Sequence, residues 1–302
     1  MTTTWDFRDV QVARGAVIHR VSWLQENRLA VATSVGLFLY GADLLELERT
    51  FNLGETVLSV AFIPRDNLLV SGYYNGDLQW RDLETGEYIA TTRGHLYGVT
   101  DLAQPEGSMY LVSGSDDGTV RTWLPTFALA PNASDPTWTS LWRAPDRVTS
   151  VDLNPMKALA AAGSYQSVTV WALEGGDLLQ TLDGLTGWVT DLGFSPDGSQ
   201  LAVADASNHL MVWNTDDWTM TYDIPIEPCS QITALDFNPD GSQLALGCKR
   251  GAVLIWDVGE NTDYNQLADY TDAVTDIAFH TFERTLISTS TDGVLRIWSL
   301  QP

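Results

Sequence analysis

Short apolar runs bounded by turn residues recur along the chain, and the fullest copy of this pattern spans residues 94–123. One run starts at Val99, a second covers residues 111–115, and a third covers residues 119–123. Asp117-Gly118 separates the last two runs. Such a dipeptide between alternating runs is a strong hairpin signal, because the turns that suit twisted strands require a positive φ. The segment therefore predicts three antiparallel strands joined by tight turns.

The same pattern is used seven times. Aligning the segments on their last aromatic residue gives a closing column with an interval of about 42 residues, which is typical of repeat architectures. This closing column consists of Tyr40, Arg81, Trp123, Trp171, Trp213, Trp256 and Trp298. An opening column, the apolar residue that starts the first strand of each repeat, consists of Ile18, Val57, Val99, Val148, Val189, Ile232 and Val274.

A fourth, weaker apolar segment follows the closing residue, for example at residues 87–92 and 177–182. Repeats of four antiparallel strands with little helix are typical of propeller blades. The sequence therefore predicts an all-β fold, a seven-bladed β-propeller of four-stranded antiparallel blades, as a single domain over residues 1–302. The blades are expected near residues 17–53, 54–94, 95–144, 145–185, 186–228, 229–270 and 271–302.

The last repeat has room for only three strands, because it stops at Pro302, shortly after Trp298. Residues 1–16 precede the first repeat and have no blade of their own. We expect this segment to supply the fourth strand of the last blade, since an unpaired sheet edge invites aggregation. The N-terminal strand would then close the ring.

One segment is longer than its counterparts in the other repeats. The excess lies in residues 124–139, which include Pro125, Pro131 and Pro136. This composition predicts a surface loop, and such extensions are more often tolerated than used.

Acidic residues dominate the charge: the chain has 39 Asp and Glu against 16 Lys and Arg, for a formal net charge of -23. A nucleic-acid-binding surface needs clustered basic residues that neutralise phosphates, and the sequence contains no such cluster. We therefore expect no nucleic-acid partner. Two interpretations of the charge stay open: self-repulsion that favours solubility, or attraction to a basic partner.

The N-terminal segment has neither the basic start nor the apolar run of a signal peptide, and no segment approaches the ~18 apolar residues of a membrane span. We expect a soluble, cytoplasmic protein without a membrane partner. Cys229 and Cys248 do not match a metal-binding spacing, so two free thiols and no zinc site are expected.

The repeat columns resemble those of the WD-repeat β-propellers over essentially the whole chain. The residues that carry the resemblance are Gly94-His95, Ser113-Gly114-Ser115, Asp117-Gly118, the five closing tryptophans, Trp256-Asp257 and Asp292-Gly293. The resemblance implies a hydrogen-bonded structural network of His95, Ser113, Asp117 and Trp123. Because a triad would also need an exposed nucleophile and an oxyanion site, we expect no hydrolase activity from these residues.

The other blades depart from this pattern. The position of the histidine is held by Leu53, Ala144, Leu185, Pro228 and Tyr270, and the position of the hairpin aspartate by Asn75, Tyr165, Ser207, Arg250 and Asp292. Only the third blade therefore carries the full set. In the second blade Arg81 replaces the closing tryptophan, with Trp80 beside it.

The resemblance also implies a binding face, which carries the connections before the first strands and the hairpins between second and third strands. The candidate partner-binding residues on it are Tyr74, Asp116, Arg147, Trp188, Gln231 and Lys249. A Trp beside an Arg is a combination enriched in binding hot spots. We expect Trp188 to anchor an extended peptide or protein loop, Arg147 to pair with a carboxylate and Asp116 with a cation. The alternative is a set of scattered surface residues without a common ligand.

Other polar and aromatic residues are assigned structural or secondary roles. Trp138, Trp142 and Trp218 lie off the columns and are expected on outer strands or loops, as a second, lateral contact surface. Of the four histidines, His19 alone is expected to face the channel, so no metal site and no cofactor are predicted. A ring of threonines is expected to be structural, because Thr favours strands; it consists of Thr100, Thr149, Thr190, Thr233 and Thr275.

The sequence thus favours a non-enzymatic scaffold that binds a protein or peptide around the mouth of the central channel. The alternative is a propeller enzyme or sensor that binds a small molecule or a metal in the channel. A buried carboxylate cluster or an ordered metal there would favour that alternative, since fold alone cannot decide.

Overall fold

The computed structural model describes residues 5–43, 45–105, 107–124, 138–227, 229–259, 264–267, 270–280 and 284–300. These residues form seven antiparallel sheets of four strands each. The predicted all-β, seven-bladed propeller is therefore confirmed. Two short 3-10 helices, at Gln25–Asn27 and Pro64–Asp66, follow the first strands of the first two blades.

The strands of the first three blades are β2 (Ile18–Leu24), β3 (Arg28–Thr33), β4 (Gly36–Gly41), β5 (Glu46–Phe51), β6 (Val57–Ile63), β7 (Leu68–Tyr73), β8 (Asp77–Asp82), β9 (Tyr88–Arg93), β10 (Val99–Ala103), β11 (Leu111–Ser115), β12 (Thr119–Trp123) and β13 (Trp138–Arg143). The next two blades contain β14 (Ser150–Leu153), β15 (Leu159–Ser164), β16 (Ser167–Ala172), β17 (Leu178–Leu182), β18 (Val189–Phe194), β19 (Gln200–Asp205), β20 (His209–Asn214) and β21 (Met220–Pro225). The last two contain β22 (Ile232–Phe237), β23 (Gln243–Cys248), β24 (Val253–Asp257), β25 (Tyr264–Gln266), β26 (Val274–Phe279), β27 (Thr285–Ser290), β28 (Val294–Leu300) and the N-terminal β1 (Trp5–Gln11).

The first strand of each blade lies at the centre of the ring, where it packs against the first strands of both neighbours, as β18 does with β14 and β22. We call the upper face the one formed by the connections before the first strands and between second and third strands. The lower face is formed by the connections between first and second strands and between third and fourth strands.

Apolar packing between blades explains the opening column. All seven opening residues are fully or almost fully buried. A small residue in the preceding blade makes room for several of them: a Cβ on Gly114 would lie 2.6 Å from Val148, and one on Gly247 would lie 2.5 Å from Val274. Glycine at these positions therefore permits the close approach of adjacent sheets.

The ring is closed as the sequence predicted. Strand β1 pairs antiparallel with β28, with Phe7 opposite Trp298 and Gln11 opposite Val294. Arg296 on β28 strengthens the junction, because its guanidinium lies 3.3 Å from the Asp9 carboxylate and 4.1 Å from the centre of the Phe7 ring. The N-terminal strand is thus held by backbone pairing, an ion pair and a cation–π contact.

The expectation of two free thiols is wrong. Cys229 and Cys248 form a disulfide, and both residues are buried. The pairing of β22 with β23 places Ile232 opposite Cys248, which brings the preceding connection and its Cys229 next to the end of β23, with the two Cα atoms 5.1 Å apart. The proximity depends on strand register, which cysteine spacing alone does not reveal.

The lateral tryptophan surface is also not supported. Trp142 is buried and stacks in parallel on Trp171 at 5.4 Å, so it belongs to the packing between the third and fourth blades. Trp218 is half-buried against the core between the fourth and fifth blades. The side chain of Trp138 and most of the predicted loop insertion, residues 125–137, lie outside the described residues.

Candidate functional site

The central channel contains two cavities separated by the side chain of Arg20. An upper cavity of about 300 Å³ and a lower cavity of about 730 Å³ both have Arg20 in their walls. The upper one opens among Tyr74 and Asp116, and the lower one among Gln25 and Pro105. Each face of the ring therefore has a cavity of its own.

Three aspartates from different blades hold Arg20 in the channel. Its guanidinium lies 3.0 Å from Asp276, 3.3 Å from Asp101 and 3.4 Å from Asp191. Ser150 joins them by donating its hydroxyl to Asp101 and Asp191 at 3.1 and 2.9 Å. We call these five residues the central ion cluster.

Burial decides the electrostatics of the central ion cluster. It raises the pKa of Asp101 and raises the pKa of Asp276 to about 6, although Arg20 opposes both shifts. Burial alone would lower the pKa of Arg20, but the three carboxylates together raise that pKa well above its usual value. Arg20 therefore remains charged.

The same aspartates connect neighbouring blades. The backbone N–H groups of Val151, Leu235 and Val21 donate to Asp101, Asp191 and Asp276, respectively, at 2.9, 2.9 and 2.7 Å. Each first strand concerned has a β-bulge between its opening residue and the aspartate. A bulge redirects the following side chain, which here points into the channel.

Two further aspartates, Asp152 and Asp236, line the lower cavity. None of the five channel aspartates was predicted from the sequence, because none lies directly next to the opening column. The available signal was their spacing, two or four residues after the opening residue of five blades. The buried carboxylate cluster that would favour a channel-bound ligand is therefore present.

The threonine ring surrounds the upper cavity, whose wall includes Thr100, Thr190, Thr233 and Thr275. The hydroxyl of Thr100 donates to the carbonyl of Val148 at 2.8 Å, and that of Thr233 donates to the carbonyl of Val274 at 2.7 Å. These bonds join adjacent blades, which agrees with the structural role expected from the sequence.

Five of the six candidate residues of the upper face form two groups. The Arg147 guanidinium lies 4.4 Å from the centre of the Trp188 ring, whose other neighbour is Tyr165, with ring centres 5.1 Å apart. Burial raises the pKa of Asp116, and the nearby charge of Arg147 opposes that shift, which places Asp116 in the same group. Trp188 is thus covered in part by residues of its own chain.

The second group lies on the sixth blade. Lys249 donates to the side-chain oxygen of Gln231 at 3.2 Å, and the backbone N–H of Lys249 donates to the Gln231 carbonyl at 2.9 Å. The Cys229–Cys248 disulfide joins the two connections that carry these residues. Tyr74 stands on the second blade at the edge of the upper cavity.

Several exposed apolar residues of the upper face were not among the candidates. Leu53, Leu96 and Tyr97 are 68%, 75% and 64% exposed, and Tyr74 near them is 70% exposed. They occupy the connections around the second blade, several residues from the opening column. In the sequence, each could have been recognised as an apolar residue in a segment that otherwise has the composition of a polar turn.

The network implied by the family resemblance has the following geometry. The Trp123 indole N–H donates to the Ser113 hydroxyl at 2.9 Å, and that hydroxyl lies 2.7 Å from His95 Nε2. His95 Nδ1 lies 3.5 Å from Asp117. Burial opposes ionisation of Asp117, but hydrogen bonds from His95, Thr119 and the backbone of Leu96 hold its pKa well below the usual range. Ser113 is fully buried and cannot meet a substrate.

The seventh blade builds a similar network with a tyrosine. The hydroxyls of Tyr270 and Ser288 lie 2.7 Å apart, and Trp298 donates its indole N–H to Ser288 at 2.7 Å. Tyr270 occupies the position of the histidine, so this blade retains the serine–tryptophan bond with a different third partner. In the sequence pattern, Tyr270 appeared only as a departure from the histidine of the family.

The expectation that His19 alone faces the channel is wrong. His19 lines the upper cavity, where burial lowers its pKa, and His280 lines the lower cavity against Trp23, with ring centres 4.5 Å apart. In the part of the chain that the structure describes, no group of three or more His, Cys, Asp or Glu is arranged to hold a metal ion. Within the same residues, no helix has the length and apolar character needed to cross a membrane.

Comparison with known proteins identifies the family. Residues 56–302 match the β-propeller family described as Nucleolar protein 10-like, N-terminal domain. The chain belongs to this family. It is a WD-repeat β-propeller, in agreement with the resemblance found in its repeat columns.

Curated relatives of this Nucleolar protein 10-like domain are WD-repeat proteins. Nuclear distribution protein PAC1 of Arthroderma otae is 29% identical over 171 residues, which cover 53% of this chain and 36% of the relative. WD repeat and SOCS box-containing protein 1 of Homo sapiens is 29% identical over 154 residues, covering 51% of this chain and 25% of the relative. The chain thus spans well under half the length of these relatives.

Proposed function

We propose that this chain is a non-enzymatic interaction scaffold that binds a protein or peptide segment on its upper face. Membership of a WD-repeat propeller family supports this proposal, because its relatives are WD-repeat proteins. The proposal includes a cytoplasmic location and, because the sequence has no basic cluster, no nucleic-acid partner.

The observation that carries the proposal is the group of exposed apolar side chains on the upper face. Leu53, Tyr74, Leu96 and Tyr97 occupy neighbouring connections of the first three blades, and Tyr74 also lines the upper cavity. Grouped exposed apolar residues mark interaction sites more often than isolated ones do. We define these four residues as the upper apolar patch.

The polar residues beside the patch would orient the bound segment. Arg147 and Trp188 already form a cation–π pair, so an incoming carboxylate would bind to the outer side of the guanidinium without disturbing the stack. Asp116, at the edge of the cavity, would bind a cationic group. Gln231 and Lys249 would contact a longer segment that crosses to the sixth blade.

The test compares partner binding by double variants on different faces. The variants are L96S/Y97S and R147A/W188A on the upper face and L178S/L179S on β17, where both leucines are exposed. Partners found by cross-linking to the wild-type chain would be purified and their Kd values measured. We expect both upper-face variants to weaken binding by about tenfold or more, because hot-spot truncation costs about 2 kcal/mol.

The β17 variant should leave the Kd within about twofold, since scattered surface residues contribute little. Unchanged affinity in both upper-face variants would contradict the proposed site. A loss confined to L178S/L179S would place the interface on the outer rim.

A second candidate function is the binding of a small molecule in the channel, and one specific observation favours it. The carboxylates of the lower cavity resemble the converging polar groups of small-molecule sites. This candidate does not exclude the first, because Arg20 separates the two cavities.

A further inference from the structure

The lower cavity is large, and the packing of the blades does not account for all of its polar groups. Its volume of about 730 Å³ exceeds that of the upper cavity. The inner end is closed by Arg20 and the central ion cluster. The walls include Asp152, Asp236, Trp23 and Phe62. Concave sites that combine apolar and aromatic walls with a few polar groups are typical of ligand cavities.

Asp152 and Asp236 form no salt bridge with a cation of the described residues. Asp152 accepts the backbone N–H groups of Leu153 and Phe194, both at 2.7 Å, and Asp236 accepts that of Phe279 at 2.7 Å. The bonds from Phe194 and Phe279 join blades, as in the central ion cluster. They leave the second oxygen of Asp236 without a hydrogen-bond partner among the described residues.

The surroundings disfavour ionisation of both carboxyl groups. Burial raises the pKa of Asp152 to about 7, with repulsion from Asp101 and Asp191 in the same direction. Burial also raises the pKa of Asp236 well above its usual range, and Asp152, Asp276 and Asp191 add repulsion. A cation near these carboxyl groups would oppose both shifts, because it favours the ionised form.

Arg20 shows which cation this channel accommodates. Its guanidinium is held by three carboxylates that project from first strands in the same way as Asp152 and Asp236. Arg20 contacts only three of the five channel aspartates, so Asp152 and Asp236 on the side of the lower cavity are left without this cation. The chain itself thus provides an example of an organic cation bound by channel carboxylates.

The charge of the lower face agrees with this chemistry. Exposed carboxylates of the lower face include Glu84, Glu87, Glu174, Asp197, Asp217 and Asp240. In the described connections of that face the basic residues are Arg65, Lys157 and Arg284, and Lys157 is paired with Asp216 at 2.7 Å. A cation approaching this face is therefore attracted before it reaches the cavity.

We propose that the lower cavity binds an organic cation, an ammonium or guanidinium group, whose charged end is held by Asp152 and Asp236. The alkyl part of the ligand packs against Trp23 and Phe62 in the wall of the cavity. The cation belongs either to a Lys or Arg side chain of a protein segment or to a free polyamine, and both sources present the same chemistry to the cavity. The site lies on the face opposite the upper apolar patch and does not depend on it.

Isothermal titration of the full chain with three probes tests the proposal: agmatine, spermidine, and the peptide Gly-Gly-Arg-Gly-Gly, at low ionic strength. The variant D152N/D236N removes both charges and keeps an oxygen that can accept the N–H groups of Phe194 and Phe279. The matched control E84Q/E87Q removes two exposed charges of the same face. Circular dichroism and the Tm establish that each variant is folded, and single variants D152N and D236N replace the double one if it is not.

We expect at least one probe to bind and its affinity to fall by about tenfold or more in D152N/D236N, since truncating a buried charge pair has effects of that size. The control should stay within about twofold, because exposed charges contribute little. Binding by the peptide alone assigns the site to a protein side chain, and binding by agmatine or spermidine alone assigns it to a free amine. Failure of all three probes, or equal losses in D152N/D236N and E84Q/E87Q, would overturn the proposal.

Discussion

The carboxyl group of Asp152 shows how its place in the channel alters a single side chain. In the folded chain its pKa is about 7, whereas an exposed aspartate has a pKa of ~3.9. The folded state therefore holds this proton more tightly than the unfolded state. The group is neutral in both states below pH ~4, and it destabilises the fold increasingly as the pH rises towards 7.

The variant D152N should remove this dependence. The substitution removes one hydrogen-bond acceptor and therefore lowers stability somewhat at every pH. Between pH 5 and pH 8, however, the unfolding free energy of D152N relative to that of wild type should rise by about 2 kcal/mol. Chemical denaturation of wild type and variant at several pH values, above the isoelectric point of about 4.2, measures this difference. Parallel pH profiles would show that Asp152 titrates as an exposed group does.

Residues differ in how far the sequence predicted them. His95, Ser113, Asp117 and Trp123 were named in advance, because their types and spacing match a recurring family pattern. The channel aspartates were not named in advance, because Arg20, the cation with which three of them pair, comes from a distant part of the chain. Leu96 and Tyr97 were missed because their exposure depends on which face of the ring their connection occupies.

At the scale of elements, β1 and β28 determine whether the ring is complete. Their pairing runs from Trp5 opposite Leu300 to Gln11 opposite Val294. Without β1, the outer edge of β28 would present unpaired backbone groups to solvent. The cation–π contact between Phe7 and Arg296 would be lost as well.

Deletion of residues 1–14 should therefore destabilise the whole domain. We expect a Tm lower by about 10 °C or more, with association through the uncovered edge of β28. Differential scanning calorimetry and light scattering measure the two effects. A synthetic peptide of residues 1–14 should restore the Tm in part, whereas a truncated chain with the full Tm and monomeric behaviour would contradict closure by β1.

The strands themselves could be predicted from the sequence, since the two residue columns place the first and third strand of every blade. The disulfide could not. Cys229 lies in a connection and Cys248 at the end of β23, so their meeting depends on register and on the course of that connection. Register is set by packing of the whole sheet and not by cysteine spacing.

At the scale of the whole molecule, Arg20 ties the first blade to the third, fifth and seventh through Asp101, Asp191 and Asp276. These blades are not all neighbours, so the ion cluster acts across the ring. Contacts between adjacent blades cannot replace this interaction across the ring. The predicted number of blades was correct, but nothing in the repeat pattern indicated a contact across the centre.

The variant R20M should lower the unfolding free energy by about 3–5 kcal/mol, because it leaves buried carboxylates without their cation. Adding D191N should recover part of the loss by removing one of those charges. The exposed control R65M should change stability by no more than about 0.5 kcal/mol. Denaturant titration of the four proteins measures these differences, and equal stability of R20M and wild type would refute the role of the cluster.

Because the Arg20 side chain lies between the two cavities, the central channel is not a continuous passage. A solute that enters from one face stops at the guanidinium. A ligand in one cavity can therefore influence the other only by moving this side chain or the carboxylates that bind it.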